Sequence, residues 1–322
     1  MERRHLLKTA MYGAAGLAMA RTAGAALPAL PIVDAHIHLF DPSRPGGVPW
    51  PEPGDAVLYR PALPERYKTV TAGMGVVAAI AVEASPLASD NDWLLKTVAA
   101  NPIMVGAVGD LVPGGPAYEA DLDRLHANPL FLGFRYGNLW NRDLLLDMRR
   151  PGFLEGLKLL AQARLVFESA NPDSNLIQAL TRVAESVPDL RIVVDHLPHA
   201  TLPEAQTDLD RYWSRLRTLS QSPRVFVKLS EIPVRVDGRL ITDPRSYQAG
   251  LDAIWSLFGE DKCLYGSDWP NSDHVATYAE TLAIVRDFVS RKGPAAIAKF
   301  FWRNSTVAYQ WRPRLPNQSL HE

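Results

Sequence analysis

The chain has 322 residues, of which 47% are hydrophobic and 21% charged, with a formal net charge of -1 at pH 7. This composition is typical of a globular protein with a sizeable core. The near-neutral charge excludes the strongly basic surface that binds nucleic acid, so we expect a small-molecule substrate and no nucleic-acid partner. The one cysteine, Cys263, excludes an internal disulfide and any multi-cysteine metal cluster.

The first residues of the chain resemble a twin-arginine export signal. Arg3 and Arg4 precede a mild apolar run rich in Ala and Gly, and Ala23-Gly24-Ala25 is a candidate cleavage site. The apolar run is about a dozen residues long, whereas a permanent membrane anchor needs roughly 20. We therefore expect residues 1–26 to direct export to the periplasm through the twin-arginine machinery, with no stable membrane anchor. Residues 27–322 would form the folded protein.

Eight short apolar runs alternate with amphipathic stretches along residues 27–322. The runs are rich in Val, Ile, Leu or Phe and begin at Ile32, Val76, Met104, Leu130, Arg164, Arg191, Val225 and Cys263. The intervening stretches predict helices over 90–100, 117–127, 153–162, 176–187, 206–220, 246–258 and 278–289. This alternation predicts an α/β fold, a single-domain (β/α)8 TIM-like barrel. A doubly wound open sheet is the alternative, but no Gly-rich phosphate turn follows the first strand.

The segment after the first predicted strand is long and rich in proline. It runs over residues 41–64 and contains Trp50 and Tyr59. Long connections without regular structure usually serve a function. We therefore expect this segment to cover one end of the barrel.

Polar residues follow the predicted strands at the end where parallel barrels carry their chemistry. Within the first strand, alternation of side chains would place Asp34, His36 and His38 on one face. Two adjacent neutral imidazoles favour a metal ion or a polar substrate that takes their lone pairs. The residues at the other strand ends are Glu83, Asp110, Arg135, Glu168, Asp195, His196, His199, Lys228, Glu231 and Asp268.

Four of these strand-end residues allow an interpretation from their side chains alone. Glu83 and Asp110 are interpreted as groups that cap helices or bind loop amides. Arg135 suits a bidentate grip on a substrate carboxylate. Lys228 either enters the polar mouth of the barrel or forms a structural ion pair, and the sequence leaves both open.

Three motifs together make the chain similar to a known family. They are His36-x-His38 in the first strand, Asp195-His196 after the sixth, and "YGSDWP" around Asp268 after the eighth. The chain resembles the amidohydrolase-related family, in particular its metal-dependent hydrolases, which include fucono-, rhamnono- and sulfomuconolactonases and pyrone-dicarboxylate hydrolases. The resemblance covers essentially all of residues 27–322.

The resemblance implies one divalent metal ion, zinc or manganese, because the fourth strand lacks the lysine that is carboxylated in binuclear members. The implied ligands are His36, His38, Glu168, His196 and Asp268. A metal-free mechanism, in which the histidines polarise the substrate carbonyl, stays open.

The resemblance also implies a hydrolase that opens an acidic lactone by attack of an activated water. Asp268 would be the base and His196 would belong to the catalytic centre. The implied substrate-binding residues are Arg135, His199, Lys228 and Trp269. A non-oxidative decarboxylase or lactone isomerase of the same superfamily is the second hypothesis, and a non-catalytic periplasmic binding protein is the third.

Overall fold

The structure is a computed structural model that describes residues 31–198 and 202–319. The predicted export signal, residues 1–26, lies outside the described residues, and so does His199, which was predicted to bind substrate. Within the described ranges, no helix is both long and apolar enough to cross a membrane.

Eight parallel strands form one sheet whose spatial order follows the chain. The strands are β1 (Ile32–His38), β2 (Val76–Val82), β3 (Met104–Gly109), β4 (Phe131–Arg135), β5 (Val166–Ser169), β6 (Arg191–Val194), β7 (Val225–Leu229) and, after a small hairpin of β8 (Arg235–Val236) and β9 (Arg239–Leu240), β10 (Cys263–Tyr265). A parallel bridge between Ile37 and Trp269 closes the sheet. Across this closure the His38 amide donates to the Trp269 carbonyl at 2.7 Å, and the Asp268 amide donates to the His36 carbonyl at 2.9 Å.

Helices connect the strands and surround the sheet. They are α1 (Pro64–Val70), α2 (Asp90–Ala100), α3 (Tyr118–His126), α4 (Leu144–Asp147), α5 (Phe153–Gln162), α6 (Ser174–Ser186), α7 (Gln206–Ser220), α8 (Arg245–Phe258), α9 (Tyr278–Ser290), α10 (Pro294–Ala298) and α11 (Asn304–Tyr309). A π-helical segment, Lys299–Arg303, joins the last two, and short 3₁₀ turns lie at Asn271–His274 and Pro316–Gln318. The predicted single-domain (β/α)8 barrel is therefore confirmed.

Two apolar layers lie on the two faces of the sheet. The outer layer packs strand residues such as Phe167 and Val194 against the helices. The inner layer fills the barrel with alternate strand residues and includes Trp302, Tyr309 and Trp311 from the carboxyl-terminal segment. Polar residues at the other end of the inner face are therefore held on a packed base, as in other parallel barrels.

The register of β1 against β2 shifts between Asp34 and Ile37. This shift breaks the strict alternation of faces, so Asp34 does not point the same way as the histidine pair of β1. Its carboxylate accepts hydrogen bonds from the hydroxyls of Tyr67 at 2.9 Å and Tyr278 at 3.1 Å, in the helical layer, and from the Ser267 amide at 2.9 Å. The expectation that Asp34 shares a face with both histidines is wrong, and Asp34 instead ties β1 to the chain after β10.

Candidate active site

His36, His38 and Asp268 bring three ligand atoms together at the carboxyl ends of β1 and β10. The Nε2 atoms of the two histidines lie 3.2 Å apart. Oδ1 of Asp268 lies 3.4 Å from Nε2 of His36 and 3.2 Å from Nε2 of His38. Oδ1 is buried and has no hydrogen-bond partner among the described residues, whereas Oδ2 accepts a hydrogen bond from Asn271 at 2.7 Å. The three atoms therefore face a common point.

Both histidines of this cluster are held in the neutral form. Burial, followed by the charge of Lys228, lowers the pKa of His36 well below its usual value. Burial, followed by the charge of Arg135, lowers the pKa of His38 to about 4. Nδ1 of His38 lies 3.1 Å from the Val82 carbonyl, which can only accept, so the ring hydrogen is on Nδ1 and Nε2 keeps its lone pair.

A buried group of charges lies behind His36, on the side of its Nδ1 atom. Lys228 Nζ lies 2.9 Å from His36 Nδ1, 2.5 Å from Glu168 Oε1 and 3.1 Å from Asp195 Oδ1. Glu168 Oε2 accepts a hydrogen bond from Tyr309 at 2.7 Å. Lys228, Glu168 and Asp195 are fully buried, as is His36, and Tyr309 is 2% exposed. This set of charges contacts His36 from behind and does not line the cavity described below.

The placement of this charged group corrects two predictions. Lys228 was predicted to bind substrate, but its ammonium group is used by two carboxylates and it does not line the cavity described below. Glu168 was predicted to bind the metal, but both of its oxygens are used by Lys228 and Tyr309. Its Oε1 atom lies 3.6 Å from Nδ1 of His36, on the far side of the ring from Asp268. The structural ion pair is the interpretation of Lys228 that the geometry supports.

His196 stands beside this cluster, with its ring centroid 4.8 Å from that of His36. The hydroxyl of Ser230 accepts the His196 amide hydrogen at 3.1 Å and lies 3.0 Å from Nδ1 of the ring. These two contacts fix the imidazole. Burial and then the neighbouring His36 lower the pKa of His196 well below its usual value, so this ring is also neutral.

A cavity of about 350 Å³ opens over these side chains. It is lined by His38, Trp50, Ala84, Arg135, Leu139, Trp140, Ala170, Asn171, His196, Glu231, Asp268 and Asn271. Trp50 comes from the long segment after β1, as predicted for a segment that covers the barrel end. The volume is in the range that holds a small ligand.

Backbone strain is concentrated in this lining. Five of its residues have a positive φ although none is glycine, at angles from 51° to 60°: Trp140, Asn171, His196, Glu231 and Asp268. Left-handed backbone is unfavourable for residues with a Cβ atom, and such strain collects where a structure holds functional side chains in place. The strain therefore marks the same end of the barrel as the polar cluster.

Arg135 presents a fixed guanidinium group to the cavity. Its Nε donates to Oε1 of Glu83 at 2.8 Å, and its Nη2 donates to the Glu83 carbonyl at 2.9 Å. Its Nη1 makes no hydrogen bond among the described residues and lies 3.7 Å from Oδ2 of Asp195. Burial opposes the charge, but the carboxylates of Glu83, Asp195 and Glu168 raise the pKa of Arg135 above its usual value. This guanidinium can donate to a substrate oxygen without changing its position.

Trp269 lies away from the cavity, which corrects its predicted role in binding substrate. The side chain is fully buried and its ring centroid lies 5.3 Å from that of Tyr67, in α1. The indoles that line the cavity are those of Trp50 and Trp140, and Nε1 of Trp140 lies 3.2 Å from Oε2 of Glu83. Trp269 does not reach the cavity because the chain after β10 turns its side chain outward where the sheet closes.

Sequence reasoning missed three polar or aromatic residues of the lining, Trp140, Asn171 and Asn271. Asn271 joins the cluster because it lies three residues after Asp268 in a 3₁₀ turn and donates to Asp268 and to Glu231, at 2.7 Å and 3.2 Å. That spacing was visible in the sequence and could have drawn attention to Asn271. Trp140 and Asn171 reach the cavity because their own backbone is left-handed. Glycine is the usual sequence signal for such backbone, and neither position is glycine.

The arrangement of His36, His38 and Asp268 fits a metal ion. Nitrogen and oxygen ligands at about 2.0–2.1 Å in tetrahedral zinc sites lie roughly 3.3 Å from one another. The three atoms here are separated by 3.2 to 3.4 Å, and one of them is an unpartnered carboxylate oxygen. Oδ1 of Asp195 lies 3.4 Å from Nδ1 of His36 and can accept the ring hydrogen that a metal-binding tautomer requires. Lys228 Nζ lies 2.9 Å from the same Nδ1 and would favour the opposite tautomer, so metal binding at Nε2 requires the Nδ1 hydrogen to face Asp195.

The fold and this polar cluster define an enzyme of the parallel-barrel class whose chemistry lies at the carboxyl ends of the strands. The chain belongs to the amidohydrolase family, whose family model matches residues 33–311. It is accordingly a hydrolase of that family, and the family resemblance seen in the sequence is confirmed.

Individual relatives agree with this assignment. Two curated relatives named L-fucono-1,5-lactonase come from Burkholderia ambifaria and Burkholderia multivorans. The first is 26% identical over 284 residues, 86% of this chain and 95% of the relative, and the second is 28% identical over 282 residues, 84% and 92%. A crystal structure of a zinc-bound amidohydrolase from Burkholderia multivorans superposes with a TM-score of 0.76 at 22% identity, covering 88% of this chain and all of that one.

Proposed function

We propose that the protein hydrolyses a lactone that carries an acidic group. The observation that carries this proposal is the unpartnered Oδ1 of Asp268, which lies within 3.4 Å of two neutral histidines at the base of the cavity. A carboxylate oxygen in this position can take a proton from a water that attacks the lactone carbonyl. The names of the two similar lactonases support the same class of reaction.

Asp268 is the base of the proposed reaction. In the metal-free protein, burial raises its pKa to about 7, although the hydrogen bond from Asn271 opposes the shift. A base with a pKa near the working pH both accepts a proton and returns it efficiently. Asn271 donates to Oδ2 and fixes the carboxylate. Oδ1 has two lone pairs, so it can face the metal position with one and, with the other, accept the proton of the water and then deliver it to the ring oxygen as the ester bond breaks.

A divalent ion, when bound, would polarise the lactone carbonyl and lower the pKa of a water to about 7. We propose that His36, His38 and Asp268 hold this ion, with His196 beside them, and that it is zinc, with manganese as the alternative. His196 lines the cavity with its ring fixed by Ser230, so it can contact the carbonyl oxygen of a bound substrate. Arg135 and the indoles of Trp50 and Trp140 hold the rest of the lactone.

Metal removal gives the first prediction. We expect purified protein to contain about one equivalent of zinc or manganese, to lose activity on dialysis against a chelator, and to recover it when the ion returns. His38→Ala should lower the metal content measured by mass spectrometry, since it removes one of three ligands. Full lactone turnover by metal-free protein would contradict the metal assignment and leave the lactonase assignment intact.

Replacement of Arg135 gives the second prediction. Hydrogen bonds to charged groups contribute about 1.5–3 kcal/mol, so Arg135→Gln should raise KM for an anionic lactone roughly 10- to 100-fold. The matched measurement uses a neutral lactone of the same ring size with the same variant. An equal rise in KM for both lactones would show that Arg135 does not contact the acidic group, provided that circular dichroism shows a folded variant.

The proposed activity itself is tested with a panel of lactones, including L-fucono-1,5-lactone, other sugar lactones and muconolactones. Acid release, followed with a pH indicator, should reach kcat/KM above about 10⁴ M⁻¹s⁻¹ for at least one acidic member. Release of carbon dioxide from aromatic acids without lactone turnover would establish the decarboxylase hypothesis. Saturable lactone binding without turnover would establish the binding protein.

We also propose that the protein is exported to the periplasm by the twin-arginine route, on the basis of Arg3, Arg4 and the apolar run after them. In a bacterial host, the full chain should appear in the periplasmic fraction in a shortened form. Replacing both arginines with lysine should keep the chain in the cytoplasm at full length. Unchanged export of this variant would contradict the proposal.

A further inference from the structure

A second cavity, of about 630 Å³, lies at the end of the barrel opposite the active site. Its walls include the residues that precede β5, β6 and β7, so it lies where these strands begin. Four of the side chains that line it are cations, Lys158, Arg164, Arg191 and Arg224, and one is a carboxylate, Asp189. This concentration of positive charge stands out in a chain with a net charge of -1.

Negative charge within the described residues offsets only part of the charge of these cations. Arg224 pairs with the exposed Asp189 at 3.3 Å, and Lys158 pairs with the exposed Glu155 at 2.8 Å. Neither Arg164 nor Arg191 forms an ion pair in the part of the chain that the structure describes. The carboxyl ends of α5, α6 and α11 face this region, and each contributes roughly half a negative charge. A positive excess of about half a charge remains, and it lies at Arg164 and Arg191, which have no carboxylate partner among the described residues.

Arg191 is the most enclosed of the four cations, with 7% of the residue exposed. Its Nε donates to the Ala308 carbonyl at 2.7 Å, and its Nη2 donates to the carbonyl of Arg164. Nη1 has no hydrogen-bond partner among the described residues. Burial lowers the pKa of Arg191, and the charges of Arg224 and Arg164 lower it further. The guanidinium is thus rigidly held, lacks a counter-charge and keeps one nitrogen for another partner.

Two residues of this cavity occupy backbone positions that favour glycine. Arg164 (φ 58°) follows the end of α5, and Gln310 (φ 54°) follows the end of α11. Glycine is the usual residue at such left-handed helix ends because it has no Cβ atom. The chain instead carries two long polar side chains there, and both line the cavity. Strain of this kind usually persists where a side chain has a function.

We propose that this cavity binds a small organic anion through phosphate or carboxylate oxygens. Arginine donates paired hydrogen bonds to both kinds of group. The volume of the cavity is in the range of ordinary small-molecule sites. Because it lies at the opposite end of the barrel from Asp268, the anion is a second ligand and not the lactone substrate.

Calorimetric titration of the full-length protein tests this inference. The probes are inorganic phosphate, glycerol 3-phosphate and citrate, each at constant ionic strength because salt screens exposed charges. We expect saturable binding of at least one probe, and the comparison of the three distinguishes a phosphate from a carboxylate ligand. Absence of saturable binding of all three at millimolar concentration would overturn the proposal.

Two variants locate the binding. Arg164→Gly removes a guanidinium and suits the left-handed backbone, so it should weaken binding at least 10-fold while the melting temperature stays the same or rises. Arg224→Gln should also weaken binding, whereas Arg245→Gln, an exposed arginine paired with Asp243 on another face, should not. Arg135→Gln should leave binding unchanged, which separates this cavity from the active site. Equal affinity in Arg164→Gly and the unmodified protein would overturn the assignment.

Discussion

Asp268→Asn is expected to lower kcat for lactone hydrolysis by roughly 10²- to 10⁴-fold, the usual contribution of a general base. The asparagine side chain is neutral and cannot take the proton of the attacking water. Its oxygen can still accept the hydrogen bond from Asn271, so the melting temperature should change little. Steady-state kinetics with an acidic lactone, combined with thermal unfolding, measure both quantities.

Asn271→Ala is the matched control for this prediction, because it removes the group that orients Asp268 and keeps the carboxylate. We expect a smaller loss of kcat in Asn271→Ala than in Asp268→Asn. If Asp268→Asn retained more than a tenth of the unmodified kcat, another group would have to be the base. The reaction would then need a different assignment even if the substrate stayed the same.

Lys228→Met is expected to lower the free energy of unfolding by about 3–5 kcal/mol, the usual result of removing one partner from a buried ion pair. Glu168 and Asp195 would then be buried without their counter-charge, and Nδ1 of His36 would lose its nearest neighbour. Denaturant unfolding followed by circular dichroism measures the change. Activity should fall as well, since His36 would lose its fixed orientation.

Two comparisons test whether the loss of stability in Lys228→Met comes from the buried ion pair and not simply from replacing a lysine. Lys158→Met removes an exposed ion pair with Glu155 and should change stability by about 0–1 kcal/mol. Adding Glu168→Gln to Lys228→Met should restore part of the lost stability, because it removes one of the uncompensated charges. If Lys228→Met and Lys158→Met destabilised the protein equally, the charged group behind His36 would not contribute to the stability of the barrel.

Most of the fold could be predicted from the sequence because each strand and long helix carries a local pattern. All eight strands were predicted from their apolar runs, and the seven predicted helices agree with α2, α3 and α5–α9 to within two residues. The helices α1 and α4, of seven and four residues, are too short to show a clear helical period. The carboxyl-terminal helices were missed, and a π-helical segment interrupts them.

The candidate site was predicted less completely, for reasons that lie in long-range contacts. The expectation that His36, His196 and Asp268 lie near each other needed only the rule that parallel strands of a barrel end on one side, and the structure brings them together. The role of Lys228 required knowing which carboxylates lie across the barrel interior. Predicting the position of Asp34 required knowledge of a register shift between β1 and β2, and no residue type in the sequence indicates that shift. Local patterns therefore predict where polar residues gather, but not how they pair.

The barrel closes between β1 and the chain after β10, at the proposed reactive residues. The main-chain groups of His36, His38, Asp268 and Trp269 form the hydrogen bonds of this closure. Parting β1 from the chain after β10 would also separate the two imidazoles from the carboxylate. Partial unfolding at this place should thus abolish turnover before most of the secondary structure melts. Slow deuterium uptake at the amides of His38 and Asp268 would therefore indicate that the active site is intact. A circularly permuted enzyme should keep its activity only if its new termini lie away from this closure.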